Sequence, residues 1–233
     1  MKNLKRSVAA LGAVCLLSLL LSSCLKSKSY PNPPVALVSF FQASPDEPLL
    51  DLYFNNNKVN WNPISYGTGL DYFNAYAGQR TVNFYVDNTM SQLYSDTLTL
   101  KANNVYSLFL VNAPASPSIV VLNDTISRPA ANTASIRFVN LSPDAPAVDL
   151  ALNDTVQVSN KIYKGASSFI PVTGNKTYTF QVRQKGTTTV LASLSNVFLT
   201  PGYVYTIMLT GLSAGTTSAD KLSVYYMINA QYF

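Results

Sequence analysis

Val38-Ser-Phe-Phe-Gln-Ala-Ser-Pro-Asp-Glu-Pro-Leu-Leu-Asp-Leu-Tyr-Phe-Asn55 recurs as Ile136-Arg-Phe-Val-Asn-Leu-Ser-Pro-Asp-Ala-Pro-Ala-Val-Asp-Leu-Ala-Leu-Asn153. A repeat of this length decides the architecture: the chain carries two copies of one domain, not a solenoid of short units. Outward from the signature the order persists. Gly78 and Val82–Val86 align with Gly174 and Tyr178–Val182, and Leu100 with Val105–Leu110 aligns with Leu199 and Val204–Leu209. Each copy alternates apolar and polar residues in short runs. Tyr178, Phe180 and Val182 fall on one side of a strand, and Thr179, Gln181 and Arg183 on the other. Turn signals such as Ser-Pro-Asp, Ala-Gly-Gln and Thr-Pro-Gly punctuate the runs. The pattern predicts an all-β chain of two tandem antiparallel β-sandwiches of immunoglobulin-like kind. The first occupies 36–126 and the second 135–233, joined by a linker over 127–134.

The N-terminus reads differently. Lys2, Lys5 and Arg6 precede an apolar run from Val8 to Leu21, too short to span a bilayer and matched to a secretory leader. Leu21-Ser22-Ser23-Cys24 resembles a bacterial lipobox, in which the cysteine thiol is acylated and the preceding segment removed. The expectation is a signal peptide over 1–23, lipidation at Cys24 and an extended, proline-rich tether over 24–35. The partner implied is the outer membrane of a Gram-negative-type envelope, reached through lipid. Lys26 and Lys28 after the anchor leave open which face the body occupies.

Composition narrows the chemistry. Taking Lys2, Lys5 and Arg6 off the formal +5 leaves about +2, and no basic stripe that a nucleic acid would need. The two cysteines are Cys15, in the leader, and Cys24, spent on lipid, and histidine is absent. Ser-His-Asp and Cys-His catalysis and His-liganded zinc are therefore excluded for the mature chain. No cofactor is expected.

The Ser-Pro-Asp-x-Pro-x-x-Asp-Leu signature resembles the domain of unknown function 4397 family. That resemblance implies envelope lipoproteins built from tandem β-sandwich domains. It supplies no reaction, substrate or catalytic residue.

Two sets of residues are candidates for a site. Asp46 with Asp51, and Asp144 with Asp149, are repeated carboxylate pairs. Calcium ligation and acid–base work are the functional readings, and side-chain capping of turns is the simpler one. The aromatic set is more suggestive. Tyr53, Tyr72 and Tyr85 align with Ala151, Ser168 and Gln181, so the first copy carries rings where the second is small or polar, and Trp61 sits in a loop. Exposed rings beside amide side chains stack on sugars or anchor a protein partner. Asp96-Thr97-Leu98, Asp124-Thr125-Ile126 and Asp154-Thr155-Val156 resemble an O-glycosylation sequon, which makes Thr97, Thr125 and Thr155 candidate acceptors. The leading expectation is a non-enzymatic, lipid-anchored envelope protein that binds or scaffolds a glycan or an envelope protein. The rivals are a hydrolase using two carboxylates among Asp46, Asp51, Asp71, Asp87 and Asp96, and a structural spacer.

Overall fold

A computed structural model describes residues 32–112 and 115–233. The leader and Cys24 lie outside the described residues. Pro34–Phe233 forms one compact unit. Among the described residues there is no helix long and apolar enough to cross a membrane.

The first half folds as eight strands: β1 (Val35–Gln42), β2 (Leu50–Phe54), β3 (Asn57–Lys58), β4 (Gly69–Tyr76), β5 (Gly78–Val86), β6 (Gln92–Leu100), β7 (Val105–Val111) and β8 (Ser118–Asn123). The second half repeats them as β9 (Thr133–Asn140), β10 (Val148–Leu152), β11 (Thr155–Lys161), β12 (Ile170–Thr173), β13 (Lys176–Gln184), β14 (Val190–Leu199), β15 (Tyr203–Thr210) and β16 (Ser223–Gln231). Sheet orders β4-β1-β7-β8 and β3-β2-β5-β6 in the first half become β12-β9-β15-β16 and β11-β10-β13-β14 in the second. The duplication read from the signature is thus reproduced strand for strand. One detail departs from a purely antiparallel sandwich: β1 pairs with β7 in parallel, and β9 with β15. Strand β1 leaves this sheet for β2 of the opposite one, whereas β7 enters it from β6 of the opposite sheet and turns back into β8 beside it.

Alternation builds the two cores. Leu50, Leu52 and Phe54 point inward from β2 to meet Val38, Phe40, Phe84 and Leu108. Val148, Leu150 and Leu152 do the same against Ile136, Phe180 and Ile207. Strands β1, β7, β9 and β15 are largely buried on both faces, the mark of strands covered on both sides. Their second face explains why: Phe41, Phe109, Val111, Val139, Leu141 and Met208 form a third apolar cluster that joins the two halves.

The signature aspartates bracket turns. The Asp149 carboxylate accepts from the backbone N–H of Asn160 (2.7 Å) and of Gly186 (2.8 Å), holding two hairpins to β10. Asp51 receives the Lys58 ammonium (2.6 Å), the Asn60 amide and the Asn88 N–H. Asp144 accepts from Ser142 and from the backbone N–H of Ser213 and Ala214, tying its turn to the loop after β15. Asp46 is exposed at positive φ on the first turn.

Candidate functional site

Strand β2 turns Asp51 and Tyr53 away from the core, and β5 turns Asn83 and Tyr85 the same way, because their neighbours Leu52, Val82 and Phe84 are buried. Register sets the rings side by side: Asp51 faces Tyr85 and Tyr53 faces Asn83. The two rings meet edge to face, with centroids 5.2 Å apart and planes at 76°. They floor a groove of about 190 Å³. Asn55 and Asn56, from the β2–β3 turn, line one end, and Thr89 and Met90, from the turn after β5, line the other.

Both rings are half-buried. The flanking charge is neutralised: burial pushes the Asp51 carboxyl up, but the Lys58 ammonium and the Asn60 amide outweigh it and hold its pKa below the usual carboxylate value. Asp51 in turn raises Lys58. With its oxygens occupied by donors, Asp51 braces the platform and is poorly placed to give or take a proton. Asp87 meets Asp51 only through Asn88, which bonds both. Asp46, Asp71 and Asp96 lie apart from them on the signature turn, on β4 and on β6. Among the described residues there is no cluster of three or more potential metal ligands.

The structure separates the sequence candidates. Tyr53 and Tyr85 come together, whereas Trp61, 97% exposed, is not among the residues lining their groove. Tyr72 belongs elsewhere. Its hydroxyl donates to Asp124 (2.6 Å) and accepts from Asn229 (2.8 Å), and burial first, then the Asp124 charge, pushes its pKa up to about 12. It is therefore a ring of the seam between the sandwiches and no part of the groove. Two alignments also shift. Asp51 faces Tyr85 as Asp149 faces Arg183, so the counterpart of Tyr85 is Arg183, not Gln181. Val38 faces Phe73 as Ile136 faces Ile170, so the counterpart of Tyr72 is Phe169, not Ser168. In the second sandwich, Ala151 and Arg183 stand where the tyrosine pair stands in the first, and the guanidinium is taken up by Asp154 and Gln181. Thr97, Thr125 and Thr155 are all exposed, although the Asp124 before Thr125 is buried.

The sequence reading missed the polar knot at the seam. Arg137 and Asp124 form an ion pair (2.5 Å) with side chains 4% and 0% exposed. The Arg137 guanidinium also donates to Thr206 (2.9 Å) and Ser107 (3.0 Å) and lies over the Phe169 ring at 4.7 Å. Ser107 in turn donates to Asp124 (2.7 Å). An arginine inside an otherwise apolar central-strand pattern, Ile136-Arg-Phe-Val139, was the available signal.

Fold and groove together define an all-β protein of two fused sandwiches with an aromatic groove on one outer sheet. A family model described as "Domain of unknown function (DUF4397)" matches residues 36–151, from β1 into β10, and over that stretch the chain belongs to the family. No curated protein matches the chain in sequence. Nine chains of solved structure match it. One is the crystal structure of CBMbc, of family CBM26, from Eubacterium rectale Amy13K in complex with maltoheptaose. The likeness covers 84% of this chain and 97% of that one at 11% identity and a TM-score of 0.27. A resemblance that distant bears on no residue of the groove.

Proposed function

We propose that this is a non-catalytic envelope protein that holds a glycan in the Tyr53/Tyr85 groove while a lipid on Cys24 tethers it to the outer membrane. The observation that carries the reading is the paired rings with their amide and hydroxyl flanks. Sugar rings present C–H faces that pack on aromatic faces and hydroxyls that bond amides, and the groove offers both. Replacement of the pair by Ala151 and Arg183 in the sister sandwich supports a role confined to one copy, because a ring pair needed only for the fold would serve both. The tether rests on the lipobox resemblance at Leu21–Cys24.

Two experiments test the reading. Glycan-array binding of the wild-type chain, lost in Tyr53→Ala and in Tyr85→Ala but kept in Trp61→Ala, supports the groove, and equal binding by all four chains refutes it. Metabolic labelling with a palmitate analogue should mark the wild type and not Cys24→Ser. An unlabelled, freely released wild-type chain removes the tether.

A further inference from the structure

The seam between the sandwiches is built from the same positions on both sides. Strands β1, β7 and β8 match β9, β15 and β16, and the apolar residues that meet there are equivalents: Phe41 and Val139, Phe109 and Met208, Val120 and Tyr225. Two tyrosines cross the seam in opposite directions. The Tyr66 hydroxyl bonds Thr210 at the end of β15 (2.8 Å), and Tyr163 donates to Asn112 just past the end of β7. These tyrosines are themselves equivalents, since the following residues, Gly67 and Lys164, donate to the matched carbonyls of Gln42 and Asn140. One patch meeting its own equivalent is the geometry of a two-fold contact between identical subunits.

The buried charges break the symmetry at the centre. Ser39 of β1 stands where β9 has Arg137. Asp124, opposite Val105, corresponds to the bulge in β16, where Ala230 pairs with Val204 and Asn229 is the extra residue beside it. Both residues bond the Tyr72 hydroxyl and Ser107.

We infer that this sheet face is a self-complementary docking surface whose partner is a second copy of the same sandwich, and that the Arg137–Asp124 pair directs it to the sister sandwich of its own chain. A first sandwich set against another first sandwich would bury two Asp124 carboxylates with no cation. Second against second would bury two Arg137 guanidiniums with no anion. Only first against second matches every charge. A buried charge left without its partner costs far more than the net gain of the pair, so the pair acts chiefly by penalising the wrong pairings.

Two variants of the full-length chain test this by native mass spectrometry over a concentration series. Arg137→Ser with Asp124→Asn places the sister's chemistry at both positions, so chain-to-chain dimers should rise at least about tenfold over wild type, the ratio that about 1.4 kcal/mol of lost discrimination gives. Asn229→Asp gives the second sandwich both halves of the ion pair. It too should dimerise, and adding Arg137→Ser should abolish that dimer. Near-ultraviolet circular dichroism identifies a variant that has merely lost its fold, and the other variant then carries the test. A folded variant of either kind that stays as monomeric as the wild type at every concentration overturns the inference.

Discussion

Replacing Arg137 by Met isolates the energetics of the seam. The substitution keeps an apolar stem over Phe169 and removes three donor contacts at once, to Asp124, Thr206 and Ser107. Asp124 then remains wholly buried with only the Ser107 and Tyr72 hydroxyls to stabilise its charge. Breaking a buried pair from one side costs about 3–5 kcal/mol. The two surviving hydroxyl donors place this case at the lower end, about 3 kcal/mol. With a urea m-value of about 2 kcal/mol/M, the unfolding midpoint falls by about 1.5 M. The double variant Arg137→Met/Asp124→Asn removes both charges and should return to within about 1 kcal/mol of wild type, because the pair's net contribution is small. Urea unfolding followed by tyrosine fluorescence measures all four corners of the cycle. A single variant within about 0.5 kcal/mol of wild type, or a double variant as unstable as the single, would contradict the coupling described.

Three further outcomes follow from other positions. Glu47 is buried with Oε2 unpaired, and burial raises its pKa, so its ionisation costs stability above the ordinary glutamate pKa and that cost fades as pH falls through the raised folded value. Glu47→Gln should therefore stabilise by about 1 kcal/mol at neutral pH, with the gain vanishing in acid by thermal unfolding. Asp51 has a lowered folded pKa, so its contribution is present above the unfolded carboxylate pKa and lost as pH falls through the folded value. Asp51→Asn should flatten that acid limb, and an unchanged pH profile would refute the assignment. Gly69→Ala should destabilise strongly in urea melts, because a Cβ there would lie 2.1 Å from the Phe40 carbonyl oxygen and β1 and β4 would have to separate.

How much was legible beforehand depended on period. Alternation with period two placed Leu50, Leu52 and Phe54 in one core, and Val148, Leu150 and Leu152 in the other. The same period hid a slip of two residues between β5 and β13, because a two-residue shift keeps every side chain on its own face. Hence Tyr85 aligned with Gln181 until hydrogen bonds fixed the register: the Asn55 and Asn153 side chains accept from the N–H of Thr81 and Thr179. The parallel pairing of β1 with β7 is a long-range choice that no local pattern encodes. Of the aromatic candidates, Tyr53 and Tyr85 were recognisable from their outward parity on strands. Tyr72 has the same outward parity, but its sheet is covered on that face by the second sandwich, which a single strand's sequence cannot reveal. Arg137 escaped attention because its strand reads as core on either side of it.

The groove is tested most directly by the affinity of the wild-type chain and of Tyr85→Ala for a glycan selected on an array, read by calorimetry beside a thermal melt of each. Loss of one stacking ring should weaken binding by about tenfold or more, equivalent to about 1.4 kcal/mol, and leave the melt nearly unchanged. Equal affinities for the two chains, with both folded, would contradict the groove as the place where this protein meets its ligand.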